Sequence, residues 1–286
     1  MDLELTEPLL PSEVNGMDEL GPIKIGAVNY LNTKPLVYGL KELAPTATLI
    51  YDLPSRLADA LADATLDVAL IPSIELLGDS RYRVVSDACI GCQGPVLSVK
   101  LFSRTPIDQI HTLALDEGSR TSIALIQILL DQQFNVRPEL TPLPIGAALD
   151  DVACDAVLLI GDRAIHSPAG SFQAVWDLGD QWRRWTGLPF VFALWCARQE
   201  TILNGIEQAL ATARDNGVAH LAEIAEAEAS TLGLTQPQCR DYLSNNLSFH
   251  LGPKEQQGLD LFYSLSQKLG LITPGQNLST SAGKAN

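Results

Sequence analysis

The sequence predicts an α/β protein with two lobes and a C-terminal helical segment, and three observations support this prediction. Short apolar runs such as IKIGAV (residues 23–28) alternate with helical patterns such as PSRLADALADA (residues 54–64). The alternation begins again near Pro106, and from about Gln199 onward the pattern is helical. Alternation of strands and helices is typical of βαβ units, so we expect mainly parallel sheets.

The expected elements follow in chain order. In the first block we predict the strands IKIGAV, TLIYDL, LDVALI, YRVVSDACI and VLSVKLFS. The helices between them are a segment from about Pro35 to Leu40, PSRLADALADA and the short PSIELLG. The second block has the strands HTLALDE and CDAVLLIG, the amphipathic helix SRTSIALIQILLDQQF and the short helix DRAIHS. The strand PFVFALWCAR then leads into four helical stretches.

Breaks in the pattern at residues 97–106 and 186–190 mark the places where we expect the chain to cross between the lobes. We therefore assign residues 23–104 and 190–272 to lobe one and residues 105–189 to lobe two. The acidic residues 1–22 and the Ser, Thr, Gly and Asn-rich residues 273–286 are expected to be disordered.

Charge and composition exclude several classes of protein. The 19 basic and 34 acidic residues give a net charge of −15, which argues against nucleic acid or an anionic membrane as the main partner. The N-terminus lacks the basic, uninterrupted apolar pattern of a secretory signal, and no apolar run approaches the roughly 18 residues of a membrane helix. We expect a cytoplasmic protein. Its oligomeric state is left open.

The sequence gives no reason to expect a cofactor or a metal. The five cysteines have no framework spacing, and the four histidines are scattered and unpaired. The motifs GxGxxG, HExxH and GxSxG and the phosphate-binding P-loop do not occur. We therefore expect none of the chemistries that these motifs support.

Neutral hydrogen-bonding side chains follow several predicted strands. In a two-lobed α/β protein the ligand binds in the cleft, at the carboxyl ends of the strands. Converging helix N-termini at that point can bind an anion through free backbone N–H groups. The alternative is that each hydroxyl or carboxylate is an ordinary helix N-cap. The candidate binding residues are Tyr30, Asn32, Thr33, Ser73, Ser119, Arg120, Thr121, Ser122 and Asp162.

Arg120 and Ser98 each leave two interpretations open. Arg120, in the loop GSRTS, is suited to hold both oxygens of a carboxylate, or it is simply exposed to solvent. Ser98 lies in a predicted strand and has no adjacent base that would make it a nucleophile. We interpret Ser98 as a hydrogen-bond donor in the cleft.

Six segments in their order and spacing resemble the chorismate dehydratase family of menaquinone biosynthesis. They are GAVNYLNTKPLVYGL, DVALIPSIELL, GPVLSVKLFSR, GSRTSIALIQILL, AVLLIGDRAI and TGLPFVFALW. The resemblance covers residues 23–272 and implies a type II periplasmic-binding-protein-like fold. It also implies loss of water from chorismate to give 3-[(1-carboxyvinyl)oxy]benzoate, with catalytic residues at Asn29 and Ser98.

Asn29 cannot abstract a proton, so a base must come from elsewhere. We hypothesise that the enolpyruvyl carboxylate of chorismate is that base, with Asp116, Glu117 and Asp162 as protein alternatives. Two other functions have the same lobes and cleft: a non-catalytic solute-binding protein for a small carboxylate, and the related 1,4-dihydroxy-6-naphthoate synthase. The missing export signal argues against the former, and the NYLNT stretch argues against the latter.

Overall fold

The computed structural model describes residues 22–77, 79–147, 152–166 and 171–271. Apart from Pro22, the expected disordered ends, residues 1–22 and 273–286, lie outside that part of the chain. The strands are β1 (Lys24–Val28), β2 (Thr48–Asp52), β3 (Val68–Pro72), β4 (Tyr82–Cys92), β5 (Val99–Ser103), β6 (Thr112–Asp116), β7 (Glu139–Leu143), β8 (Ala156–Ile160), β9 (Ala174–Asp177), β10 (Phe190–Arg198) and β11 (Ser248–His250).

Helices cover both sheets and form the C-terminal segment. The α-helices are α1 (Leu40–Leu43), α2 (Pro54–Ala62), α3 (Arg120–Phe134), α4 (Asp162–Ile165), α5 (Leu178–Thr186), α6 (Ile206–Ala219), α7 (Leu221–Glu228), α8 (Gln236–Asp241) and α9 (Pro253–Lys268). The 3₁₀-helices lie at Leu31–Val37, Ser73–Leu76 and Ile107–Gln109, and a π-helix lies at Tyr242–Asn246.

The two lobes each contain one mixed sheet, and the two sheets have the same layout. The strand order is β2-β1-β3-β10-β4-β11 in lobe one and β7-β6-β8-β5-β9 in lobe two. In each of these strand orders, the fourth strand (β10 or β5) is the first strand that the chain forms after it crosses from the other lobe. That strand runs antiparallel to its neighbours on both sides, β3 and β4 for β10, and β8 and β9 for β5.

The expectation of mainly parallel sheets is wrong, because β10 and β5 run antiparallel to their neighbours. The parallel pairs are β1 with β2 and β3, and β6 with β7 and β8. A strand that enters from the neighbouring lobe approaches its sheet from the cleft side, opposite to the βαβ strands. Alternation along the sequence does not reveal that reversal.

The first crossing lies earlier than the sequence indicated. Strand β5 pairs with β8 and β9, so it belongs to lobe two and not to lobe one, where residues up to 104 had been assigned. The chain therefore crosses at residues 93–98, between β4 and β5, and returns at residues 187–189, between α5 and β10. Among the strands and α-helices described in lobe two, β7, β9 and α5 were not predicted.

The stretch expected to be a loop after β1 is partly helical. A 3₁₀-helix begins at Leu31 and includes Asn32, Thr33 and Pro35, with Tyr30 as its extended N-cap residue. Thr33 N donates to Tyr30 O at 3.0 Å, which closes the first turn. The polar side chains of this segment are thus held by a rigid turn directly after a buried strand.

Candidate active site

A cavity lies between the lobes, where strand ends from both sheets meet. Its empty space is about 500 Å³, part of it open to solvent. Lobe one contributes residues at the ends of β1 and β3, and lobe two contributes the start of α3 and the end of β8. The polar lining residues are Tyr30, Asn32, Ser98, Ser119 and Ser122; the others are Val28, Pro54, Pro72, Ile90, Val96, Val99, Ile160, Gly161, Phe192 and Ala193.

No residue of this lining carries a formal charge. Within the described ranges, the cavity therefore offers hydroxyl and amide groups and apolar walls, but no carboxylate, ammonium, guanidinium or imidazole. A charged ligand at this place has to be held by hydrogen bonds from neutral donors and by backbone dipoles. Such donors orient a substrate and stabilise developing charge, but they do not remove a proton.

Five of the predicted site residues come together in this cavity, although they are far apart in sequence. Tyr30 and Asn32 come from the segment after β1, and Ser98 comes from the first crossing. Ser119 and Ser122 come from the first turn of α3, where Ser119 Oγ donates to Ser122 Oγ at 2.7 Å and accepts from Ser122 N at 3.2 Å. Ser119 is thus an N-cap that also lines the cavity, and its role in binding stays a prediction.

Asn29 and Thr33 are placed differently. Asn29 is exposed and is not a lining residue, although its neighbours Val28 and Tyr30 both line the cavity. Thr33 is fully buried, and its Oγ1 donates to Asn32 Oδ1 at 3.3 Å. Thr33 therefore contacts the site through Asn32.

Two other predicted residues join the lobes through neutral groups. Ser73 Oγ donates to Val191 O at 2.7 Å and lies 3.4 Å from Thr121 Oγ1. Thr121 Oγ1 also accepts from Ile74 N at 3.2 Å, which ties the start of α3 to lobe one. Neither Ser73 nor Thr121 is a lining residue.

Arg120 joins the lobes through charge. Its guanidinium donates to Glu75 Oε1 at 2.9 Å and to Asp59 Oδ1 at 2.7 Å, and both acids belong to lobe one. The fork that was expected to hold a substrate carboxylate is occupied by two protein carboxylates. Burial raises the pKa of Glu75, although the charge of Arg120 lowers it in part.

Asp162 makes a further contact between the lobes. Its Oδ1 accepts from Leu31 N at 3.1 Å, which holds the 3₁₀-helix of lobe one against α4 of lobe two. Burial raises the pKa of this carboxyl, while the Leu31 N–H acts in the opposite direction.

Tyr30 packs its ring on the backbone of Gly161. A Cβ atom at Gly161 would lie 2.7 Å from Tyr30 Cζ, and Gly161 adopts φ 68° and ψ −158°. That region of backbone space is nearly restricted to glycine. Burial, together with the charges of Asp116 and Asp162, raises the pKa of Tyr30 to about 12, so its phenol remains protonated and able to donate.

Ser98 is carried by a strained turn. Ser98 N donates to Val96 O at 2.7 Å, and Leu97 at the centre of this turn has φ 59°, which is unfavourable for a residue with a Cβ. Ser98 itself is 1% exposed. Its Oγ donates to Val96 O at a long distance of 3.4 Å, and the Tyr242 hydroxyl lies next to it.

The three carboxylates considered as bases do not line the cavity. Asp116 is buried, pairs with Arg163, and accepts from Gly118 N at 3.0 Å and Ile160 N at 3.1 Å. Glu117 is exposed. Asp162 is engaged with Leu31 N.

Comparison with known sequences agrees with this architecture. Residues 23–268 match a family model described as menaquinone biosynthesis. The chain is 31% identical over 268 residues to a chorismate dehydratase of Thermus thermophilus, covering 87% of this chain and 96% of the relative. The chain belongs to the menaquinone biosynthesis family. A chorismate dehydratase of Campylobacter jejuni is 27% identical over 252 residues, covering 86% of this chain and 98% of that protein.

Solved structures similar to this member of the menaquinone biosynthesis family share its fold. The protein AF1704 from Archaeoglobus fulgidus has a TM-score of 0.67 at 18% identity, covering 88% of this chain and 98% of that one. The periplasmic aliphatic sulphonate binding protein SsuA from Escherichia coli has a TM-score of 0.57 at 14% identity, covering 93% and 97%. The periplasmic-binding-protein-like fold is thus confirmed. In the described part of the chain, no helix has the length and apolar character needed to span a membrane.

Three residues that contribute to the site in this family member were missed by sequence reasoning. Asp177 accepts hydrogen bonds from Val96 N and Leu97 N and so holds the turn that precedes Ser98. Phe192 lines the cavity from β10, and Tyr242 is buried next to Ser98. Asp177 lies 81 and 80 residues from Val96 and Leu97, and Tyr242 lies 144 residues from Ser98. No local pattern in the sequence connects them.

Proposed function

We propose that this chain is a chorismate dehydratase, a hydro-lyase that converts chorismate to 3-[(1-carboxyvinyl)oxy]benzoate. The observation that carries the proposal is the 31% identity to the enzyme of Thermus thermophilus over nearly the whole of both chains. The neutral cavity between the lobes supports it, because elimination from this substrate needs orientation more than it needs a strong protein base.

The reaction removes one proton and one hydroxide. The proton leaves the ring carbon that carries the enolpyruvyl ether, and the hydroxide leaves the neighbouring ring carbon, so that together they form water and the ring becomes aromatic. Aromatisation supplies the driving force. The protein therefore has to hold the dianion in one orientation and stabilise charge on the departing oxygen.

The enolpyruvyl carboxylate of the substrate acts as the base in this proposal. It is tethered to the ring carbon that loses the proton, and no charged side chain lines the cavity in the described structure. Asn29 and Ser98 act as catalytic hydrogen-bonding groups toward the substrate oxygens. Asn29, whose neighbours Val28 and Tyr30 line the cavity, does so when the substrate occupies the cleft.

The carboxylates of chorismate bind to neutral donors. The first turn of α3 has backbone N–H groups without partners inside the helix, and Ser119 and Ser122 place hydroxyls beside them. Tyr30 and Asn32 supply donors from lobe one. Ser73, Arg120, Thr121 and Asp162 contribute to binding by holding the lobes together.

The experiment incubates the purified protein with chorismate and follows the absorbance of the aromatic product, which is identified by a mass lower than that of chorismate by one water. Asn29→Ala and Ser98→Ala are each expected to lower kcat about 100-fold. The exposed Ser80→Ala is the control and keeps wild-type turnover. Tight binding of chorismate without water loss by folded wild-type protein would contradict the proposal and favour a solute-binding protein.

A further inference from the structure

Tyr242 is buried, and no described residue forms a hydrogen bond of good distance and angle with its hydroxyl. Its side chain is 1% exposed, and its Oη is one of four buried side-chain polar atoms without such a partner among the described residues. Packing alone would be satisfied by phenylalanine, because the ring fills the same volume and an unpaired buried hydroxyl costs free energy. The hydroxyl therefore calls for an explanation.

The polar side chains next to this hydroxyl are Ser98 and Asn32, both of which line the cavity. Both have capacity to spare. Ser98 Oγ is 3.4 Å from Val96 O, and Asn32 Oδ1 accepts from Thr33 Oγ1 at 3.3 Å, each at the long end of hydrogen bonding. Tyr242 thus lies behind two cavity residues that come from different segments of the chain.

The backbone around Tyr242 is fixed to the same segment. Tyr242 is the first residue of the π-helix Tyr242–Asn246, a rare conformation that often occurs at functional sites. At the other end of that helix, Asn246 Nδ2 donates to Pro95 O at 2.8 Å, three residues before Ser98. The π-helix therefore has a defined position relative to the turn that carries Ser98.

We propose that Tyr242 is a positioning residue for Ser98: its phenol donates to Ser98 Oγ during the reaction, so that the Ser98 O–H is directed at the substrate. This inference rests on the proposed function. Burial raises the pKa of Tyr242 while Ser98 and Asn32 offset part of the rise, so the phenol is protonated across the neutral range and able to donate.

Tyr242→Phe tests the role of the hydroxyl without changing the packing. We expect kcat for chorismate to fall at least about tenfold, KM to change by less than about threefold, and the melting temperature to stay the same or rise. Tyr82→Phe is the matched control, since Tyr82 is also a buried phenol of lobe one but lies at the far end of β4. That variant should keep its kcat.

A double-mutant cycle with Ser98→Ala shows whether the Tyr242 hydroxyl affects kcat through Ser98. If Tyr242 acts through Ser98, adding Tyr242→Phe to Ser98→Ala lowers kcat by less than about twofold. An equal loss in both backgrounds, an unchanged kcat in the single variant, or a large drop in its melting temperature would each overturn the inference. A wild-type protein without turnover would overturn the proposed function as well, whereas an active wild type with an active Tyr242→Phe variant would overturn only this inference.

Discussion

Asp177 Oδ2 accepts a hydrogen bond of 2.6 Å from the backbone N–H of Leu97, a residue held at φ 59°. Its Oδ1 accepts from Val96 N at 2.9 Å and from Asp180 N at 3.1 Å, so one carboxylate caps α5 and fixes the turn before Ser98. Burial raises the pKa of Asp177, and these three donors oppose that rise. The orientation of Ser98 thus depends on a residue that lies outside the cavity.

Asp177→Asn should therefore reduce both stability and turnover. The amide NH₂ that replaces one oxygen faces a backbone N–H, which leaves a buried donor without an acceptor and costs about 1–3 kcal/mol of unfolding free energy. The kcat should fall about tenfold because the Leu97 turn relaxes. Urea unfolding and chorismate turnover measure the two effects. The exposed Asp63→Asn is the control and should leave stability and turnover unchanged. A wild-type kcat in Asp177→Asn would show that the Leu97 turn keeps its conformation without the Asp177 carboxylate.

Arg120→Gln should destabilise the protein strongly, because it leaves the buried Glu75 carboxylate without its partner between the lobes. We expect a loss of about 3 kcal/mol in urea unfolding at neutral pH. The control is Arg184→Gln, which removes an exposed ion pair with Asp180 and should cost less than about 0.5 kcal/mol. Equal effects of the two variants would mean that the Arg120 contact contributes no more than a surface pair.

The loss caused by Arg120→Gln should grow with pH. Burial raises the folded-state pKa of Glu75 above its ordinary value of 4.5, so the folded state holds this proton more tightly than the unfolded state does. The free energy of unfolding therefore falls as pH rises between the unfolded-state pKa and the folded-state pKa of Glu75. Removing Arg120 raises the folded-state pKa further and widens this pH interval. Unfolding at about pH 5 and about pH 8 should give the larger difference from wild type at the higher pH. A difference independent of pH would contradict this assignment.

Gly161→Ala should disrupt the contact between Tyr30 and lobe two. The added methyl would meet the Tyr30 ring at 2.7 Å, in a backbone conformation that alanine strongly disfavours. We expect KM to rise at least about tenfold and the melting temperature to fall. Gly39→Ala is the matched control, because Gly39 also has a positive φ, 67°, but no atom lies within 4 Å of the new Cβ. It should lower the melting temperature slightly and keep KM.

Amide variants of the three candidate carboxylate bases should keep most of their turnover. Because Asp116, Glu117 and Asp162 lie outside the cavity lining, we expect the folded Asp116→Asn, Glu117→Gln and Asp162→Asn proteins to retain kcat within about threefold. Asp116→Asn will also lose stability, since it weakens the pair with Arg163. A loss of kcat by about 100-fold with unchanged chorismate binding in any one variant would identify that residue as the base.

The sequence predicts those elements whose pattern is local. β3, β8 and the part of β1 after Lys24 are continuous apolar runs, and α3 begins at a cap formed by Ser119 and Ser122, so each was found. β7 was missed because it is an edge strand, mostly exposed and interrupted by Pro142, which removes the alternation that marks a strand.

Contacts between the lobes could not be predicted. Arg120 meets Glu75 and Asp59, which are 45 and 61 residues away, and nothing near Arg120 indicates those partners. The same holds for the sheet that β5 joins and for the side chains behind Ser98. The sequence identified the hydroxyls and amides of the cleft, but only the arrangement of the chain separates those that line the cavity from those that join the lobes.

In the proposed reaction the protein supplies orientation and the substrate supplies the base. The most direct test is turnover of a chorismate analogue whose enolpyruvyl carboxylate is replaced by a neutral carboxamide. If the substrate supplies the base, the analogue binds to the wild-type protein, as measured by calorimetry, while water loss becomes at least about 100-fold slower than with chorismate. Turnover of the bound analogue at a rate within about tenfold of that of chorismate would contradict a substrate base and indicate that a protein group removes the proton.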